Sequence, residues 1–261
     1  MEIVLGFVIA LAISLTGVGS GSLTTPLLII LLGVSPATAV GTALTYGAIV
    51  KIASVPVYAV RRQINWRILK LLLAGGVPGV IGGGFLLDHL KGDSYRPYLY
   101  MALGVLIVAT GGFNLFRIFH PKPQPSNNDR SRLLPWFALP IGAEVGFSSA
   151  GAGALGSLLL LGLTPLSASE VVGTDLSFGL ALAVAGSAIQ LGAGNFDPTL
   201  LAKLVIGGLC GAFVGSFLSG RLAQRPLRIG VLLMLVLLGC ELALHGHASA
   251  AEMHAVFAAA H

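Results

Sequence analysis

Apolar residues run through this chain in blocks of roughly 18 to 30, longer than the core helix of a water-soluble domain needs, with short polar or glycine- and proline-containing stretches between them. The blocks are Ile3 to Leu32, Pro36 to Val60, Trp66 to Leu90, Pro97 to Phe119, Leu133 to Leu161, Leu166 to Gly192, Pro198 to Leu222 and Pro226 to Leu244. The first is interrupted at Gly17 to Ser22 and the fifth at Gly146 to Gly153. This pattern predicts an all-α polytopic integral membrane protein, with one broken or re-entrant segment and three transmembrane helices in each half. It divides the chain into a first membrane repeat (1–119), a polar linker (120–132), a second membrane repeat (133–244) and a short alanine-rich tail (245–261).

The halves repeat each other. Between Gly41 to Leu90 and Gly173 to Leu222 the register holds without a gap, and fourteen of the fifty positions are identical, among them Gly75, Gly76, Gly79 and Gly83 against Gly207, Gly208, Gly211 and Gly215. The broken segments align as well, Gly17 with Gly146 and Gly33 with Gly162, an offset three residues shorter. That difference places three extra residues in Leu166 to Val171. Duplication with matched glycine interruptions in apolar sequence is the mark of a secondary transporter.

Two topologies fit. If each broken segment crosses once, the halves run parallel. If each enters and returns as a hairpin, its legs of about 14 residues reach only about 20 Å and the halves are inverted. Loop charge favours the hairpins. They gather Arg61, Arg62, Arg67, Lys70, Arg117, Lys122, Arg130, Arg132, Arg221, Arg225 and Arg228 on one side and leave mainly Lys91, Arg96 and Lys203 on the other. Asn127 and Ala223 are then expected to face the cytoplasm, and Gly92 and Ala193 the outside.

Composition narrows the class further. With 55% hydrophobic and 10% charged residues and a mean hydropathy of +0.91, the chain belongs in a lipid bilayer. Its net charge of +5 sits in clusters between apolar runs, where the positive-inside rule accounts for it, so nucleic acid is not an expected partner. Cys210 and Cys240 lie inside apolar segments and suggest neither a disulfide nor a metal site. Ile3 to Leu15 resembles a signal-peptide core, but the preceding residues carry Glu2 and no Lys or Arg, so the segment is expected to be retained.

Candidate chemistry concentrates at the breaks. Gly19, Ser20, Gly21, Thr24 and Thr25 run into Pro26, a pattern that predicts a half-helix opening inside the membrane at Thr24-Thr25-Pro26. Free backbone N–H groups there, with the positive end of a helix dipole and glycines permitting close approach, suit a small anionic substrate. Ser148 and Ser149 mark the second break, with Ser148 expected to contact substrate, and Thr42 and Thr174 of the repeated Gly-Thr pairs are expected to line the same cavity. The bland alternative is that the glycines serve helix packing.

Lys51, Glu144 and Asp175 lie about 13 to 16 Å into apolar sequence, near the bilayer midplane. Such residues face a cavity or one another, so they are candidates for proton coupling or for a structural charge pair. Asp175 leads because it follows Gly173-Thr174 directly and replaces Ala43 of the first half. Gly151 to Gly156 matches G-x-G-x-x-G but lacks the alternating strands and helices of a dinucleotide site. His245, His247, His254 and His261 lie in the tail with no carboxylate arrangement around them, and no cofactor, metal site or catalytic residue is expected.

Gly17 to Pro36, Ala39-Val40-Gly41-Thr42, Gln63-Ile64-Asn65-Trp66, the glycines from Gly75 to Gly84, Gly173-Thr174-Asp175-Leu176 and Gly194-Asn195-Phe196-Asp197 resemble the sulfite exporter TauE/SafE family of membrane permeases. The resemblance spans Ile3 to Leu244. It implies a bacterial cytoplasmic-membrane permease for a small sulfur-containing anion such as sulfite or an organosulfonate. A cation permease and a non-transporting assembly protein are the alternatives. Substrate, direction, coupling ion and oligomeric state are not legible in the residues.

Overall fold

A computed structural model describes residues 1–16, 19–92, 95–119, 130–150, 154–218 and 224–259. Among them the first half forms α1 (Glu2–Thr16), α2 (Ser20–Leu32), α3 (Pro36–Val60), α4 (Trp66–His89) and α5 (Arg96–Phe119). The second half forms α6 (Leu134–Ser148), α7 (Ala154–Leu163), α8 (Ala168–Gly192), α9 (Pro198–Leu218) and α10 (Gln224–Ala259). No strand occurs among the described residues, and α3, α4, α5, α8, α9 and α10 are long and apolar enough to cross a membrane. Helix α10 runs on through most of the alanine-rich tail, to Ala259. Gly17, Gly151, Gly153, Ala223 and most of the polar linker, Asn127 included, lie outside the described residues.

Short polar side chains start the helices where the sequence places them. The Ser35 hydroxyl accepts from Thr38 N at 3.4 Å, and Ser167 forms a capping box with Glu170. Asn65 Oδ1 accepts from Ile68 N at 3.1 Å, and Asp197 Oδ1 from Leu200 N at 2.9 Å. These are two repeated pairs, each 132 residues apart. So is a left-handed turn, made by Arg62 at φ 54° and by Gly194 at φ 73°.

Packing extends that displacement to the whole chain. A Cβ on Gly75 or Gly79 of α4 would stand 1.9 or 2.2 Å from the backbone oxygens of Pro135 and Leu139 in α6. One on Gly207 or Gly211 of α9 would stand 1.9 or 2.2 Å from those of Ile3 and Phe7 in α1. Ile3 thus corresponds to Pro135 and Phe7 to Leu139, so the offset in the broken segments is 132 as well. The three extra residues expected near Pro165 do not exist. Ser35 and Ser167 cap equivalent helices, and the apparent shift came from sliding one run of small residues along another. In lipid, where apolar side chains gain little by leaving the solvent, such backbone-to-backbone seams supply the packing that joins helices.

The same contacts set directions. Residues rise together along α1 with α9, and along α6 with α4, so each pair is parallel. Gly41 meets the Gln190 side chain and Gly186 meets Leu44, so α3 and α8 are antiparallel. Gly76 touches Phe178 and Gly84 touches Ile189, which makes α4 parallel to α8. Because α8 and α9 reverse across a short turn, α3 shares the direction of α9 and hence of α1. Helix α2 must therefore return between α1 and α3, through the turn at Gly33, whose φ of 64° ends α2. By the same reasoning α7 returns between α6 and α8. Legs of 15 and 13 residues in the first hairpin span about 22 and 20 Å, too short for a complete crossing.

Candidate substrate site at the two helix breaks

Helix α2 opens four residues earlier than the sequence suggests. Its N-cap is Gly19, its first residue Ser20, and Pro26 lies inside the helix. Thr24 and Thr25 therefore occupy the second turn, fully buried, and the first-turn N–H groups without helical partners belong to Ser20, Gly21 and Ser22. The reason is local. Gly19 takes the extended conformation of a cap, so the helix need not wait for a proline. In the second half Gly146 is helical and packed against Val80 O, and α6 runs on to Ser148.

The two breaks touch. Thr25 Oγ1 lies 2.5 Å from Ser149 Oγ, and Ser149 Oγ donates to Gly21 O at 3.2 Å. Ser149 ends α6 in the left-handed region at φ 59°, which turns its hydroxyl across to the other half. A Cβ on Gly21 would stand 1.8 Å from Ser149 O, so glycine is required for this approach. Ser148, the predicted member of the pair, is engaged locally: its hydroxyl donates to Glu144 O at 2.9 Å and accepts from Ala150 N at 3.2 Å.

A second cluster surrounds Asp175. Ser157 of α7 donates to Asp175 Oδ2 at 2.5 Å, while Oδ1 is buried without a hydrogen-bond partner against Gly156. Lys51 and Arg117 are within electrostatic reach of this carboxylate. Because α3 and α8 are antiparallel, Lys51, later in α3, comes near the level of Asp175, early in α8. Glu144 accepts from the Thr110 hydroxyl of α5.

Thr42 and Thr174 do not share a cavity. Thr174 Oγ1 accepts from Asn65 N at 3.0 Å, near the end where α8 and α4 begin. Thr42 sits near the opposite end, its hydroxyl buried without a partner, and the adjacent Gly41 faces Asn195 O. Both are early in their helices, and antiparallel α3 and α8 send equivalent positions apart, by about 21 Å at 1.5 Å per residue.

Sequence reasoning put Ser149 at the break but chose Ser148 as the ligand, and it missed Ser157 as the partner of Asp175. A signal existed for the second: the 132-residue displacement makes Ser157 the counterpart of Thr25, so both returning helices carry a hydroxyl at that position.

Residues 2–242 match the family model for the sulfite exporter TauE/SafE. The chain belongs to this family. It is 31% identical over 252 residues to the probable membrane transporter protein YjnA of Bacillus subtilis, covering 92% of this chain and 98% of that protein. To the probable membrane transporter protein YdhB of the same organism it is 25% identical over 236 residues, covering 87% and 93%. This TauE/SafE protein is a multi-pass membrane transporter, not an enzyme.

Proposed function

We propose that this protein is a secondary permease for a small anion, of the class of sulfite, an organosulfonate or a related sulfur oxyanion, built as two inverted repeats. The observation that carries the reading is the junction of the two breaks, Thr25 with Ser149 and Ser149 with Gly21. There a helix N-terminus, hydroxyls and glycine backbone converge between legs too short to span the membrane, the arrangement transporters use to hold an anion away from water. Gly19, Ser20, Gly21, Thr24 and Thr25 form the binding element from the first half, with Ser148 buttressing Ser149 from the second.

Asp175 carries the coupling proton or an essential contact, with Glu144 in support and Lys51 as its counter-charge. The burial of this carboxylate at the depth of the breaks, held by Ser157 and within reach of Lys51 and Arg117, supports this role. With the directions of α1 to α5 reversed in α6 to α10, the arginine-rich ends gather at one face, and the positive-inside rule supports a cytoplasmic side for it.

Purified protein in liposomes, offered sulfite, an alkyl sulfonate, sulfate and divalent metal ions with and without a proton gradient, tests the reading. Saturable sulfite or sulfonate flux that Asp175→Asn abolishes is expected. Flux of divalent cations with none of the anions would replace it.

A further inference from the structure

The first turn of α7 holds a carboxylate of the protein's own. The Ser157 hydroxyl donates to Asp175 Oδ2 at 2.5 Å, and the Ser157 backbone N–H donates to the same carboxylate. That turn is the positive end of the α7 dipole. Oδ1 is buried without a hydrogen-bond partner and rests against Gly156, where a Cβ would stand 2.1 Å from it. Lys51 of α3 and Arg117 of α5 bring two positive charges within electrostatic reach, and Arg228 of α10 lies within reach of Arg117. Helix α4 carries no charge between Lys70, which is exposed, and Asp88 near its end; α7 carries none, and Glu144 of α6 accepts from Thr110 instead. A hydroxyl, a helix-start N–H and two cations around one oxyanion make an anion site occupied by a tethered carboxylate.

The first half shows the same position without the acid. By the 132-residue displacement Thr25 answers Ser157, Thr24 answers Gly156 and Ala43 answers Asp175, and all three first-half residues are fully buried. With no carboxylate at residue 43, the Thr25 hydroxyl pairs across the junction of the breaks with Ser149. One hydroxyl of the repeated pair thus belongs to the proposed substrate site, and its counterpart is covered by an acid.

We infer that Asp175 competes with the transported oxyanion for Ser157, Lys51 and Arg117, so that the anion and a proton are bound together. The ionised carboxylate fills the site. When a proton from solvent forms an O–H bond on it, its negative charge is gone, and the Ser157 donors and the two cations are left to the substrate oxyanion. Each anion bound here then brings one proton onto Asp175. The inference rests on the anion-permease reading and names how protons control its site.

Isothermal titration calorimetry of the purified full chain in detergent, with sodium methanesulfonate as the probe, tests this. Methanesulfonate is the anion of a strong acid and does not titrate, so any pH dependence belongs to the protein. Heats measured in buffers of different ionisation enthalpy count the protons taken up. The wild type should take up about one proton per anion, and over that pH range its affinity should fall about tenfold per pH unit, because linkage is reciprocal. Asp175→Asn, neutral at every pH, should bind the anion with no uptake and no pH dependence. In that background the Ser157 hydroxyl has no carboxylate to serve, so adding Ser157→Ala should weaken binding about tenfold and Ser157→Thr should restore it. Binding by the wild type without proton uptake, or uptake that persists in Asp175→Asn, would overturn the inference. So would loss of binding in folded Asp175→Asn, which would make the carboxylate a direct substrate contact, or unchanged binding on adding Ser157→Ala. Should a variant not fold, the wild-type proton count still decides against the inference if it is zero. Binding without uptake would leave the permease reading standing, whereas no binding of methanesulfonate, sulfite or sulfate by the folded wild type at any pH would sink that reading itself.

Discussion

Gly21→Ala isolates the contact on which the proposed site depends. Its Cβ would stand 1.8 Å from Ser149 O and 2.7 Å from Ser149 Oγ, where real contacts do not fall below 3.0 Å, so the two breaks must part by about 1.2 Å. The nearest obstacle is backbone and cannot rotate away. An opening of that size along the contact carries the Thr25 to Ser149 pair, now at 2.5 Å, past hydrogen-bond distance. Overpacking costs about 1–3 kcal/mol, and each hydrogen bond lost a further 0.5–1.5 kcal/mol or so. The expected destabilisation is therefore about 2–5 kcal/mol, with transport lost even in the fraction that stays folded. Gly82→Ala is the control, since nothing lies within 4 Å of a Cβ there. Thermal melting in detergent and anion flux in liposomes are the assays. If Gly21→Ala melts with wild type and transports at its rate, the breaks do not meet as described and the site is elsewhere.

Thr25→Ala removes one hydroxyl partner of Ser149 but no backbone donor, so substrate binding to the purified variant should weaken by only about 0.5–1.5 kcal/mol; a loss of 3 kcal/mol or more would mean the hydroxyl itself is the main ligand. Asp175→Asn should abolish gradient-driven flux while the protein still elutes as a folded species, and wild-type flux would remove Asp175 from the mechanism. Cysteines placed at Ala193 and Gly92 should react with impermeant reagents from outside the cell and one at Asn127 should not, a pattern whose reversal would invert the orientation. Arg62→Gly should raise stability by about 1 kcal/mol, because a side chain at φ 54° is strained where the equivalent turn uses Gly194; an unchanged or lowered melting temperature would show that the arginine's other contacts outweigh the strain.

Much of the membrane architecture was legible because it rests on local properties. Whether a block such as Pro36 to Val60 or Trp66 to His89 enters the bilayer depends on its own length and apolarity, and Ser35, Asn65, Ser167 and Asp197 cap their helices with groups three residues away. Duplication, too, could be read directly, since glycines needed at a seam such as that of Gly75 and Gly79 are needed again at Gly207 and Gly211. The register of the broken segments could not. Runs of small residues align with themselves at several offsets, and only the contacts of α1 with α9 and α6 with α4 choose among them.

The site was decided almost wholly by tertiary structure. Sequence placed Thr42 and Thr174 together because they are alike, yet antiparallel α3 and α8 put them near opposite ends. It named Ser148, whereas the left-handed turn at Ser149 gives the bridge to Thr25 to the next residue. It ranked Asp175 first because that residue follows Gly173-Thr174 and replaces Ala43, but Ser157, Lys51 and Arg117 reach that carboxylate from three other helices. Hydropathy and capping are sums over near neighbours and so are written along the chain. A polar constellation inside a bilayer is fixed by which helix faces meet, and that depends on the packing of residues more than a hundred positions apart.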